Sequence, residues 1–190
     1  MSATREQIIE TTCSLIEKQG YNATGLNEIV RESGAPKGSL YYYFPEGKDQ
    51  ITEEAIEWAG KMISERSASN LDNALPPRQA IPEFVRNIAY HVEASGFCAG
   101  GPLQTVALET ATTSERLNLA CRAAYDRLMQ VFETHLRQGG YTPAEAVQLA
   151  LTITAAVEGG VLLSRVYHTG DPLRTVAASL ETLLTSRQTQ

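Results

Sequence analysis

Positive charge is in short supply in this sequence. Its 190 residues carry 16 Lys plus Arg against 22 Asp plus Glu, a formal net charge of −6. A protein coated in positive charge for polyanion binding is therefore excluded, and any nucleic-acid contact must be local. Cysteine is scarce as well: Cys13, Cys98 and Cys121 lie far apart, without a CxxC pair or histidine-rich neighbours. That argues against a zinc site or a disulfide framework and fits a reducing, cytoplasmic compartment. No run approaches the ~20 consecutive apolar residues needed to cross a bilayer, so no membrane partner is expected. Residues 1–19 mix polar and apolar side chains without the pattern of an export signal. Alternating Val/Ile/Thr stretches flanked by turn dipeptides are missing, which removes β-sheet from consideration.

What remains is helical periodicity along nearly the whole chain, and an all-α protein is expected. The first helix is predicted at about Thr4 to Gln19, with Ile8, Ile9, Cys13, Leu15 and Ile16 as its apolar stripe and Gly20 closing it. A short second one runs from Leu26 to Ser33, where Leu26, Ile29, Val30 and Ser33 share a face. Gly34 follows, suited to a left-handed turn. The third begins at Pro36 or Lys37 and ends near Phe44. After the Pro45-Glu46-Gly47 turn a long helix is predicted over Lys48 to Ser69, then a polar connection at 70–77. Further helices are expected at about Arg78–Ser95, Pro102–Thr110, Ser114–Gln138, Pro143–Tyr167 and Pro172–Ser186, three of them opened by proline.

Two short helices joined by Gly34-Ala35-Pro36 and braced by an amphipathic helix are the sequence form of a helix-turn-helix. At 100° per residue, Leu40, Tyr43 and Phe44 fall on one side of the third helix and Tyr41 and Tyr42 on the other. Exposed tyrosines on a helix starting Lys37-Gly38-Ser39 offer phenolic donors, a cation and a bare backbone to a phosphate or base edge. Residues 1–50 hold five Lys plus Arg and seven Asp plus Glu, yet Ser33 to Pro45 contains Lys37 and no acid. The docking face is thus locally favourable, and a modest salt dependence is expected.

Tyr21-Asn22-Ala23-Thr24, Glu28-Ile29-Val30 and Lys37-Gly38-Ser39-Leu40-Tyr41-Tyr42-Tyr43-Phe44-Pro45 together resemble the TetR family of bacterial transcriptional repressors. The Glu46-Gly47-Lys48 turn and Gly100-Gly101-Pro102…Ala107-Leu108-Glu109 are similar to a branch that controls drug-efflux genes. The resemblance implies DNA contacts from Thr24, Asn27, Lys37, Gly38, Ser39, Tyr41, Tyr42 and Lys48. One departure is Gly25, which stands where a Ser or Thr usually caps the second helix, leaving the capping box with Glu28 incomplete. Tyr43 replaces a common histidine.

The division expected is a DNA-binding domain at 1–47 and a helical ligand-binding and dimerisation domain at 48–190. One helix-turn-helix reads one half-site, so a palindromic operator calls for a homodimer. The last two helices carry apolar stripes: Ala150, Ile153, Val157 and Val161 on one, Val176, Leu180, Leu183 and Leu184 on the other. Joined as a symmetric four-helix interface, they resemble the family's mode of dimerisation, and Leu180→Glu is then expected to give monomers. A regulator also needs an input. Trp58, Met62, His91, Phe97, Val106, Tyr125 and Phe132 are candidates to line an apolar chamber, and Glu109 and Glu158 sit in apolar company suited to a cationic group. A small apolar or cationic effector is expected to act through the long helix from Lys48 as a lever, releasing operator DNA.

A helical enzyme and a protein-binding adaptor are the alternatives. Neither explains Lys37 to Phe44, and no nucleophile–base–orienter set, metal cluster or phosphate-binding GxxxxGK[ST] loop is present, so no catalytic residue, metal or cofactor is expected.

Overall fold

The computed structural model describes residues 3–71, 74–98 and 100–186. The middle of the connection at 70–77 and both chain ends lie outside the described residues. Among these, the secondary structure is helical throughout: α1 (Ala3–Gln19), α2 (Leu26–Ser33), α3 (Lys37–Tyr43), α4 (Lys48–Asn70), α5 (Pro77–Ala94), α6 (Pro102–Thr110), α7 (Glu115–Gln138), α8 (Pro143–Tyr167) and α9 (Asp171–Ser186). Glycine and proline set many of these ends. Gly34 closes α2 in the left-handed conformation (φ 64°). α8 opens with Pro143 and a complete capping box, in which Thr142 Oγ1 accepts from Glu145 N and the Glu145 carboxylate accepts from Thr142 N.

The chain forms two compact units, 1–62 with 101–125 and 63–100 with 126–190. The boundary expected at 47/48 therefore differs from the observed one: the first part of α4, all of α6 and the start of α7 belong with α1–α3. In the first unit the buried residues are Ile8, Ile9 and Ile16 of α1, Ile29 of α2, Leu40 and Phe44 at α3, Ile51 and Ile56 of α4, and Leu103, Val106 and Leu117. Phe44 is fully buried and carries the Arg5 guanidinium 5.3 Å above its ring, while Arg5 also pairs with Glu54. Burial of a side chain this size is worth roughly 1.5–3 kcal/mol, so Phe44 anchors the end of a seven-residue helix that has no stability of its own.

In the second unit α5, α8 and α9 pack on one another, with Phe84 and Phe132 meeting edge to face at 5.6 Å. Ion pairs Arg86–Glu181 and Arg174–Glu93 link α5 to α9. Glu93 also accepts from Gly170 N at 2.9 Å, and these partners hold its carboxyl below the ordinary glutamate range.

The expected dimer stripe divides between core positions and partly covered ones. Ala150, Ile153, Val161, Leu180 and Leu184 are buried in the subunit's own core, and Val157, Val176 and Leu183 pack against that core. A side chain with almost no exposure in one subunit has no surface to give a second. Leu180→Glu is accordingly expected to place a carboxylate in the core, lowering the unfolding midpoint by roughly 10 °C. Thermal denaturation followed by circular dichroism reads this directly; a folded monomer of unchanged midpoint would restore the original assignment. α8 also exposes a set of large apolar side chains, Val147, Leu151, Leu162, Leu163, Val166 and Tyr167, alongside Gln148 and Thr152. By length and composition α8 would span a membrane, but nearly half of its most apolar stretch is buried inside the protein, as in a core helix.

Candidate nucleic-acid interface

The turn between α2 and α3 is fixed by local chemistry. Ser33 is buried, and its hydroxyl accepts from Ala35 N at 3.3 Å while donating to Val30 O. With Gly34 left-handed and Ala35 buried, α3 starts directly from Pro36. Leu40 and Phe44 then face inward, whereas Tyr41 and Tyr42 are 47% and 79% exposed. Tyr43 is half-buried, its ring 5.1 Å from Tyr42 and 6.4 Å from Phe44, so it supports the outward ring from behind. Lys37 and Gly38 are exposed, Ser39 is half-buried, and Asn27 is exposed in the first turn of α2. These residues form one continuous run of accessible donors and open backbone on the turn and α3.

Two of the expected DNA contacts sit differently. Thr24 is fully buried and its hydroxyl donates to Gly20 O at 2.7 Å, closing the α1–α2 turn instead of facing outward. A threonine before a helix reads equally as a cap, a contact or a turn lock. Lys48 is half-buried, with its ammonium 4.1 Å over the Tyr21 ring. Burial draws its pKa down, opposed by Asp49 and Glu109.

Electrostatically the face is sparse. Arg31 on α2 is held between Glu28 and Glu32, which raise its pKa and cancel its charge locally. As expected from Gly25, the start of α2 has no side-chain cap; Glu28 instead accepts from Gln19 Nε2 at 2.7 Å. Lys37 is the only basic residue of α3.

Sequence reasoning missed a polar cluster that holds the α1–α2 turn. Tyr21 donates to Asp49 at 2.5 Å, and burial together with that carboxylate pushes the phenol up to about 12. Asp49 also accepts from Ser114, and Arg116 pairs with both Glu46 and Glu53. Glu109, expected to meet a ligand, accepts from Asn22 N at 2.7 Å. No local pattern announces such pairs, because the partners lie 28 to 87 residues apart.

The expected ligand residues divide between the two units. Trp58, Met62, Val106, Glu109 and Tyr125 belong to the first unit, while His91, Phe97, Phe132 and Glu158 belong to the second. His91 is exposed on α5 and meets the Tyr90 ring at 5.9 Å, and Met62 is exposed on α4, so neither is enclosed by apolar packing. Val106 and Phe132 are buried in their units' cores. Phe97 stands at φ 64° and meets His168, at φ 52°, with ring centroids 5.2 Å apart. Glu158 is half-buried with one carboxylate oxygen shielded from solvent. Cys13 and Cys121 are buried, which pushes their thiols to about 12 and about 11 and leaves them unreactive near neutrality.

Comparison with known proteins bears on this arrangement. Residues 8–55 match the family model described as bacterial regulatory proteins, tetR family. Residues 77–179 match that of the LmrA/YxaF-like transcriptional regulator C-terminal domain. The chain belongs to the TetR family of transcriptional regulators. Two relatives from Bacillus subtilis (strain 168) run its whole length. YxaF, described as an uncharacterized HTH-type transcriptional regulator, is 37% identical over 95% of this chain and 94% of its own. The HTH-type transcriptional regulator LmrA is 36% identical over 95% and 96%. Among solved structures, a regulatory protein TetR from Rhodobacter sphaeroides superposes with a TM-score of 0.83 at 20% identity, covering 95% of this chain and 98% of that one. Reduced NemR from E. coli gives 0.82 at 21% identity, over 94% and 96%. In this TetR-family regulator the accessible residues Lys37, Gly38, Tyr41 and Tyr42 therefore lie on the helix-turn-helix of a DNA-binding family.

Proposed function

We propose that the protein is a cytoplasmic homodimeric repressor that reads a palindromic operator, one α3 per half-site, and is released by a small apolar or cationic effector. The observation that supports the DNA contact most directly is Gly38. A Cβ added there would meet nothing within 4 Å. Glycine inside a helix costs roughly 0.5–1 kcal/mol relative to alanine. Gly38 stands in the first turn of α3, where its bare backbone is open to a phosphate or base edge. Asn27, Lys37, Ser39, Tyr41 and Tyr42 supply donors around it, and Lys48 stands nearby in sequence; Thr24 has a turn-closing role.

Dimerisation is assigned to the outer face of α8. A helix with large apolar side chains on both its buried and its exposed sides needs cover on the second. The exposed Val147, Leu151, Leu162 and Val166 fall at spacings of four, eleven and four, which places them on one face. A second copy is the occupant that a two-half-site operator requires, about 34 Å or a multiple separating the half-sites. Glu158, with Phe97 and Phe132 in the same unit, supports an apolar or cationic effector. By linkage, such an effector and operator weaken one another by the same factor.

The test is recovery of bound fragments from sheared DNA of the source genome at moderate salt, for wild type and Gly38→Ala. Wild type is expected to enrich a short palindrome. Gly38→Ala is expected to be more stable by roughly 0.5–1 kcal/mol while binding that palindrome about tenfold more weakly. A wild type that enriches no sequence, or a Gly38→Ala protein that binds as tightly, removes this reading.

A further inference from the structure

α1 and α6 exchange carboxylates. Glu17, in the last turn of α1, accepts from Gly101 N at 2.9 Å, and Glu109, in the last turn of α6, accepts from Asn22 N at 2.7 Å. The first bond supplies the start of α6 with an acceptor that its own N-cap, Gly101, lacks. The second reaches the turn that leads into α2. Gly20 makes room for it: at φ 89°, a Cβ there would run into the Glu109 carboxylate. Around the same turn Lys48 lies over Tyr21, Tyr21 donates to Asp49, and Asp49 accepts from Ser114. Residues from α4 and α6 thus hold Tyr21 and Asn22, and Ser114, just before α7, holds Asp49.

This turn matters because α2 is weak at its start. It is eight residues long, and its N-cap Gly25 makes no side-chain bond. A helix that short has no stability in isolation. Ile29, Leu40 and Phe44 pack α2 and α3 into the core, and the start of α2 is set by what anchors residues 20–25. Thr24 locks the turn internally through Gly20 O, and Glu109 fastens it to α6.

We infer that the Glu17–Glu109 exchange is a latch, with Glu109 a positioning residue through which α6 sets the operator affinity of the helix-turn-helix without touching DNA. This rests on the DNA-binding reading above. α6 lies inside the stretch matched by the LmrA/YxaF-like C-terminal model, yet it belongs to the compact unit of the reading head. The latch therefore joins the two family segments within one unit. Opening it leaves Lys37, Tyr41 and Tyr42 in place but frees the turn, and the ordering of α2 and α3 is then added to the cost of binding.

The experiment compares wild type, Glu109→Ala, Glu109→Gln and Glu17→Ala, with Glu93→Gln in the other unit as a control for stability. Operator affinity is measured against salt on the fragment recovered from the genome, together with the unfolding midpoint and backbone hydrogen exchange. Glu109→Ala is expected to weaken operator binding roughly fivefold or more. The slope of log affinity against log salt stays unchanged, because no phosphate contact is lost. Exchange at Asn22 and its neighbours accelerates, Glu17→Ala moves in the same direction, and Glu109→Gln, which keeps an acceptor oxygen, recovers part of the loss. The latch is overturned by unchanged affinity and unchanged Asn22 exchange in Glu109→Ala. An equal affinity loss in Glu93→Gln at a matched midpoint also overturns it, since only global stability would then be at work. If wild type binds no genomic fragment the DNA reading fails, and Asn22 exchange alone decides whether Glu109 fastens the turn.

Discussion

A Leu151→Glu/Leu162→Glu double variant is expected to sediment as a monomer of 20.7 kDa at concentrations where the parent sediments as a dimer. Both side chains stand on the outer face of α8, 59% and 46% exposed, so the substitutions leave the subunit's own core intact. In an isologous dimer each position occurs twice, and each buried leucine contributes roughly 1.5–3 kcal/mol, which the variant loses four times over. Carboxylates forced into the contact add a desolvation penalty. Operator affinity should fall by a factor of about 10²–10⁴, the advantage of joining two half-site contacts in one particle. A variant that still sediments as a dimer, with unchanged operator affinity, would place the subunit contact on another surface.

The second large effect is expected from Lys37→Ala/Tyr42→Ala. Neither side chain supports the fold: Lys37 is exposed and Tyr42 is 79% exposed, so stability should stay within about 0.5 kcal/mol of wild type. Each contact of this type is worth roughly 1–3 kcal/mol, and a palindrome counts it in both half-sites. The predicted loss is therefore at least about 100-fold, with a shallower salt slope because two cations are removed from the reading faces of each dimer. Fluorescence anisotropy on the recovered operator, across a salt series, measures both quantities. Binding within twofold of wild type would mean that α3 is not the reading element.

Most of the architecture was legible because glycine and proline punctuate it. Gly34 ends α2, and Pro102 and Pro143 open α6 and α8 at the expected residues. The inward and outward sides of α3 also followed from angle alone, since a seven-residue helix has room for only one packed face. Which part of the α8 stripe is core was not legible, for the complementary reason. A largely apolar helix gives no sign of which face meets its own subunit, and the β-branched and small residues at 150, 153 and 161 proved to be core. The grouping of α6 with the first compact unit was not legible either, since Glu17 and Glu109 bond partners more than 80 residues away. Short-range pattern contains no record of such pairs.

The scarcity of free positive charge on the reading face shapes how this protein would find its site. Arg31 is neutralised by two glutamates, and α3 carries one lysine. Affinity for arbitrary DNA is almost wholly electrostatic, so it should be low here. A regulator of this kind spends little time sliding along the chromosome and few copies are sequestered by it. Search then proceeds mainly by diffusion through solution, and a small pool of molecules stays available to an operator that becomes vacant.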